Sequence, residues 1–144
     1  MRQNKHEYYC GIAKAVSKRS TCLRRQYGAV VVNNDEIIAT GYNGSPRGCI
    51  NCCDTGKCNR YNDVKWGDRV HTHNDGDYDS CNSVHAEMNA LLSAARRDMI
   101  GGTLYLYGEE NGKEIKCEPC PICKRLIKNS GIKTLVCSSS KTNF

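Results

Sequence analysis

Residues 85–107 read His85-Ala86-Glu87-Met88-Asn89-Ala90-Leu91-Leu92-Ser93-Ala94-Ala95-Arg96-Arg97-Asp98-Met99-Ile100-Gly101-Gly102-Thr103-Leu104-Tyr105-Leu106-Tyr107. Two periodicities meet here. Met88, Leu91, Leu92 and Ala95 form an apolar stripe at helical spacing, which predicts a helix from about His85 to Arg97 with Ser83 as a candidate cap. Thr103 to Tyr107 is a short run of strand formers behind a Gly-Gly pair. A helix that feeds a strand is the unit from which α/β folds are built.

The same pattern extends outward. Downstream, Gly108 to Lys116 is a polar excursion. A third helix is expected near Pro121, a residue suited to a first helical turn, and it ends before Gly131. Thr134 to Cys137 reads as a further strand. Upstream, a helix is expected from about Lys5 to Ser20, with Tyr8, Tyr9, Ile12, Ala13 and Val16 on one side. Gly28 to Val32 and Glu36 to Thr40 flank Asn33-Asn34-Asp35 and predict a hairpin. Strand, helix, strand, helix, strand after a hairpin implies a parallel portion added to an antiparallel start. From Tyr42 to about Asn82 the chain is polar and rich in Gly, Asn, Asp and Cys. A loop of that length is usually functional or held by something.

The 144 residues suit a single domain spanning 1–144. The composition, 39% hydrophobic and 25% charged, reads as that of a soluble protein. The N-terminal segment Met1 to Tyr9 is polar, and no run is apolar enough for a signal peptide or a membrane span, so the expected location is cytoplasmic. A net charge of +6 favours anionic partners. No basic stripe is interleaved with aromatics, which argues against a nucleic-acid partner. Eleven cysteines in a chain without a secretory signal point to metal ligation rather than disulfides.

Two short motifs carry the chemistry. His85-Ala86-Glu87 opens the second helix, and Pro119-Cys120-Pro121-Ile122-Cys123 opens the third. His85, Cys120 and Cys123 make three zinc donors and leave a fourth position for water, the arrangement of catalytic zinc. A helix N-terminus also favours the thiolate form of cysteine. Glu87 is placed to move protons rather than to ligate. H-x-E followed by P-C-x-x-C is a signature of zinc nucleobase deaminases. Cys22 after the first helix, and Cys49, Cys52, Cys53, Cys58, His71, His73 and Cys81 in the long loop, suggest a second metal, which would order that loop. Arg24, Arg25 and Arg47 are candidate phosphate ligands, since arginine suits bidentate phosphate contact.

The chain resembles the cytidine and deoxycytidylate deaminase family, and within it the deoxycytidylate deaminases. The likeness runs from Ser20 to Cys137. It is carried by Ser20-Thr21-Cys22, Gly28-Ala29-Val30-Val31-Val32, Gly41-Tyr42-Asn43-Gly44-Ser45-Pro46-Arg47-Gly48, the two motifs above and Ser130-Gly131-Ile132-Lys133. The resemblance implies a three-layer α/β/α, cytidine deaminase-like fold with a mixed five-stranded sheet flanked by helices. It also implies a homo-oligomer, dimer or hexamer, and hydrolysis of dCMP to dUMP and ammonia. It assigns Asn43 to the sugar and brings Gly44 and Ser45 near the nucleotide. Some relatives hold a second, structural zinc; Cys22 and Cys52 match two of its ligands, and Cys58, Cys81 and His73 are the candidates for the rest. Tyr107 stands where the family usually carries a small hydroxyl residue at the base pocket, and Gly108 to Cys117 is inserted after it. Three other readings stay open: a zinc deaminase with a different substrate, a non-catalytic zinc-binding module, and a redox protein using C-x-x-C. The last two leave Glu87 idle.

Overall fold

The computed structural model describes residues 1–58, 60, 81–138 and 140–144. The first helix, α1 (Lys5–Ser17), starts at Asn4, whose side chain accepts from the Glu7 N–H while Glu7 reaches back to the Asn4 N–H. This reciprocal capping box satisfies two otherwise orphaned donors. Strands β1 (Gln26–Asn33) and β2 (Glu36–Tyr42) follow as the expected hairpin. Its two-residue turn places Asn34 and Asp35 at φ 51° and 61°, the left-handed conformation such turns need and Asn and Asp tolerate. The short α2 (Cys52–Thr55) lies in the long loop.

The predicted second helix is two helices. α3 (Ala86–Leu92) stops at Ser93, and α4 (Arg96–Met99) starts again after Ala95. Ser93 donates its hydroxyl to the Asn89 carbonyl, a local bond that competes with helix continuation. Asn33 donates to the carbonyls of Asp98 and Ile100, and Arg96 to that of Asn129, so the second piece is tied to other elements. Ser83 does not cap α3; His85 occupies the cap position.

The remaining elements are β3 (Thr103–Glu110), β4 (Lys113–Glu114), α5 (Pro121–Ser130), β5 (Thr134–Cys137) and β6 (Ser140–Asn143). The sheet order is β2-β1-β3-β5-β6, with β4 folded back on the end of β3. Only β3 and β5 run parallel; the other pairs are antiparallel. The sheet is mixed, as the resemblance implied, with β4 as a small addition beyond five strands.

Alternation along β1 and β3 builds the layers. Ala29, Val31, Leu104 and Leu106 face α3 and α5, in a core completed by Ala86, Ala90 and Ile127. Val30, Val32, Tyr105 and Tyr107 face α1 and pack on Tyr9 and Ala13. The sheet is therefore covered by α1 on one side and by α3 and α5 on the other. Among the described residues no helix is long and apolar enough to cross a membrane.

Candidate active site

Two helix starts converge on the α3/α5 side of the sheet. His85 is the extended cap residue of α3, with φ −69° and ψ 152°, and Glu87 lies in the first turn after it. Because His85 is not yet helical, the 100° per residue offset does not separate the two side chains, and both reach one cavity. Cys120 caps α5, and its sulfur accepts from the Cys123 N–H at 3.4 Å. Pro121 takes the first helical position, where no N–H is needed.

The three donors meet. His85 Nδ1 is 3.6 Å from Cys120 Sγ and 3.4 Å from Cys123 Sγ. Among the described residues theirs is the one set of three metal-ligating groups whose donor atoms all lie within 4.8 Å of one another. With Zn–S at about 2.3 Å and Zn–N at about 2.0 Å, tetrahedral zinc sets N and S roughly 3.5 Å apart, so the triad fits the ion. Burial, with Glu87 and Cys120 close by, pushes the Cys123 thiol up. A cation among the donors is what favours the thiolate in such a place. Glu87 is only 5% exposed and lies close to the Cys123 thiol.

These groups open on a cavity of about 490 Å³, a size that suits a nucleotide-like ligand. Arg24, Arg25 and Asn43 line it, as the sequence suggested. Asn43 is also a structural tie. Its Oδ1 accepts from Ser20 and from the Tyr27 N–H, and its Nδ2 donates to the Arg25 carbonyl. One amide hydrogen is left for a ligand.

Four candidates stand elsewhere: Gly44 and Ser45, which line a smaller neighbouring cavity, and Tyr107 and Arg47. Tyr107 faces α1, its hydroxyl donating to Glu109 at 3.0 Å, so the base-pocket assignment is corrected by strand alternation. Arg47 is exposed and is not among the residues that line the cavity. Cys117, which forms a second C-x-x-C with Cys120, is buried with its thiol toward the Leu106 carbonyl and takes no part in the triad.

Sequence reading missed Tyr27, Leu106 and Lys124 in the cavity wall. Period two along β1 and β3 could have found the first two, and Lys124 lies one helical turn beyond Cys120. Arg60 and Ser83, also in the wall, carried no sequence signal. The Ser83 hydroxyl is buried without a hydrogen-bond partner among the described residues.

A second cavity of about 20 Å³ adjoins the first and shares Cys22, Cys81 and Ser83 with it. Cys22, Cys52, Cys58 and Cys81 all line it, together with Gly44 and Ser45. Burial pushes the Cys22 thiol up; the Arg24 and Arg25 backbone bonds oppose this, and Cys58 and Cys81 add to it. His71 and His73 lie outside the described residues.

An α/β/α sandwich whose two helix starts bring a His-Cys-Cys triad beside a buried glutamate is the architecture of a zinc-dependent hydrolase. The chain belongs to the cytidine and deoxycytidylate deaminase family, whose zinc-binding region matches residues 3–139. It is 40% identical over 134 residues to the deoxycytidylate deaminase of Mycobacterium phage D29, covering 90% of this chain and 91% of that one. It is 38% identical to the deoxycytidylate deaminase of Saccharomyces cerevisiae, covering 97% of this chain but 39% of the yeast protein. The crystal structure of dCMP deaminase from cyanophage S-TIM5 in complex with dCMP and dUMP superimposes with a TM-score of 0.65. Its sequence identity is 28%, over 95% of this chain and 82% of that one.

Proposed function

We propose that this protein hydrolyses dCMP to dUMP and ammonia. The carrying observation is the His85-Cys120-Cys123 triad with Glu87 beside it, at a cavity whose wall includes His85, Glu87, Cys120, Arg24 and Arg25. The relatives named above, and the dCMP and dUMP bound by one of them, support the choice of substrate.

Bound zinc would lower the pKa of a water toward neutrality. His85, Cys120 and Cys123 would hold it. Glu87 takes the proton of the attacking water and delivers it to ring N3, which makes C4 electrophilic. The C4–O bond forms, Glu87 carries the proton of the new C4 hydroxyl to the exocyclic amine, and the C4–N bond breaks as the C4 carbonyl forms and ammonia leaves. Asn43 has a donor left for the sugar, and Arg24 and Arg25 supply positive charge for the 5′-phosphate.

A second, structural zinc would be held by Cys22, Cys52, Cys58 and Cys81. The four cysteines line one cavity large enough for a water or ion, which supports the reading; no three of their sulfurs lie within 4.8 Å of one another, so the metal would have to draw them together. Such a metal would tie the long loop to the start of β1 and so shape the nucleotide cavity that shares its wall. A homo-oligomer, dimer or hexamer, is in keeping with the exposed Leu92, Ile122 and Leu126 on α3 and α5.

The test is ammonia release from cytosine, deoxycytidine, cytidine, CMP, dCMP and dCTP. dCMP should exceed deoxycytidine by ~10²-fold in kcat/KM, the scale of a lost charge-assisted phosphate contact. Equal turnover of the two, or of neither, would overturn the nucleotide assignment. Elemental analysis should find about two zinc ions per chain. One zinc, unchanged in Cys22→Ser and Cys52→Ser, would remove the second site.

A further inference from the structure

The segment 108–117, inserted relative to the family pattern, folds into a hairpin rather than a loose loop. Glu109 pairs with Glu114 and Glu110 with Lys113. Asn111 and Gly112 turn it, at φ 52° and 75°. The Ile115 N–H then donates to the Gly108 carbonyl at 3.0 Å.

This hairpin touches the cavity wall at two points. Gly108 stands opposite Tyr27 in the β1–β3 ladder. A Cβ on Gly108 would lie 2.5 Å from Tyr27 Cε1 and 3.3 Å from Ile115 Cγ1. The Tyr27 ring therefore lies across bare backbone with Ile115 beside it, a placement that only glycine at 108 permits. The second contact is electrostatic. Glu110 Oε2 is 3.6 Å from Arg25 Nε, an ion pair too long for a hydrogen bond, and the Tyr27 phenol lies beside the same guanidinium. Arg25 and Tyr27 line the cavity; Glu110 does not.

We propose that the inserted hairpin is a positioning device for the phosphate end of the nucleotide: Glu110, with Tyr27, fixes the Arg25 guanidinium at the cavity wall, where it meets the 5′-phosphate. This rests on the nucleotide reading above. Glu110 is a positioning residue; it does not touch substrate. The pair is about three-quarters buried on both sides, with side-chain exposures of 23% and 27%. Without Glu110 the guanidinium keeps its charge but loses one of the two groups that fix its direction. The cost is that of misaiming a charge-assisted contact, not of deleting it.

The experiment measures kcat and KM of the zinc-loaded protein for dCMP and deoxycytidine in wild type, Glu110→Gln, Glu110→Asp and Lys113→Gln. Glu110→Gln should raise KM for dCMP by ~3–10-fold with kcat within about twofold, and leave kcat/KM for deoxycytidine unchanged. Glu110→Asp should recover part of the loss. Lys113→Gln, on the same hairpin but outside the Arg25 pair, should match wild type. A Glu110→Gln KM for dCMP that is unchanged or lower, or an equal loss on both substrates, overturns the proposal. Wild type without a preference for dCMP over deoxycytidine overturns the nucleotide reading itself, a result separable from the first.

Discussion

Two glutamates of this protein, Glu87 and Glu109, are each only 5% exposed, and they lie on opposite sides of the sheet. Glu109 faces α1. Lys18 Nζ donates to it at 2.6 Å and the Tyr107 hydroxyl at 3.0 Å. Lys18 holds its carboxyl below the usual range, with Tyr107 assisting against burial. In return, burial together with Glu109 pushes the Tyr107 phenol up to about 12. Glu87 instead opens on a cavity beside three metal donors. A buried charge closed by its own partners holds architecture together; one left facing a cavity is available for chemistry. The two sides of one sheet thus divide the work, and the division can be tested side by side.

The largest effects on stability should come from two glycines, one per side. A Cβ on Gly41 would lie 2.3 Å from the Ala90 nitrogen and 2.4 Å from the Ala86 carbonyl oxygen. A Cβ on Gly28 would lie 2.0 Å from the Ala13 carbonyl oxygen and 2.6 Å from the Ser17 nitrogen. Backbone cannot step aside cheaply, so each Gly→Ala change should cost about 3 kcal/mol in denaturant unfolding. Activity should separate them. Gly41→Ala pushes on the helix that carries Glu87, so its folded, zinc-loaded fraction should lose ~10-fold or more in kcat, as misplacement by an ångström does. Gly28→Ala should keep kcat per folded molecule. An equal loss in both would break the division.

Smaller effects sharpen it. Glu109→Gln should lose ~1–2 kcal/mol at pH 7, modest because Lys18 is half exposed. The folded pKa of Glu109 is depressed. Its contribution is therefore full above the unfolded value of about 4.3 and lost as pH falls through the folded value. The gap between wild type and variant should begin to close as pH falls below about 4.3 and vanish below the folded value; a constant gap would mean that charge is not the cause. The smallest effect is expected from Tyr107→Phe: ~0.5–1 kcal/mol of stability and no change in KM for dCMP. A tenfold rise in KM would return Tyr107 to the substrate site.

Much of this division was legible in the sequence. The hairpin turn at Asn34-Asp35 and the first helix are local signals and the structure has both, though α1 ends at Ser17 rather than Ser20 and Tyr8 of its stripe is exposed; the two zinc motifs stand at the starts of α3 and α5. The break at Ser93 was not legible, because it is held by Asn33 and Asn129 from distant elements. Strand β6 carries no apolar pattern; all four of its residues are exposed at the sheet edge, so no buried side demanded alternation. Tyr107 shows a subtler limit. Period two separates Tyr105 and Tyr107 from Leu104 and Leu106, but which set meets the zinc side depends on where α1 and α3 pack. The gathering of Cys22, Cys52, Cys58 and Cys81 around one cavity likewise depends on contacts such as the Gly44–Val84 bridge, far apart in the chain.

The most direct test compares the two buried glutamates in one assay: kcat for dCMP and zinc per chain, measured on the same samples of Glu87→Gln and Glu109→Gln. Glu87→Gln should retain its zinc and lose turnover by ~10³-fold or more, because the proton carrier is gone while the ligands stay. Glu109→Gln should retain both zinc and turnover within a few-fold. Near-normal turnover in Glu87→Gln, or comparable losses in the two variants, would contradict the assignment of catalysis to the α3/α5 side.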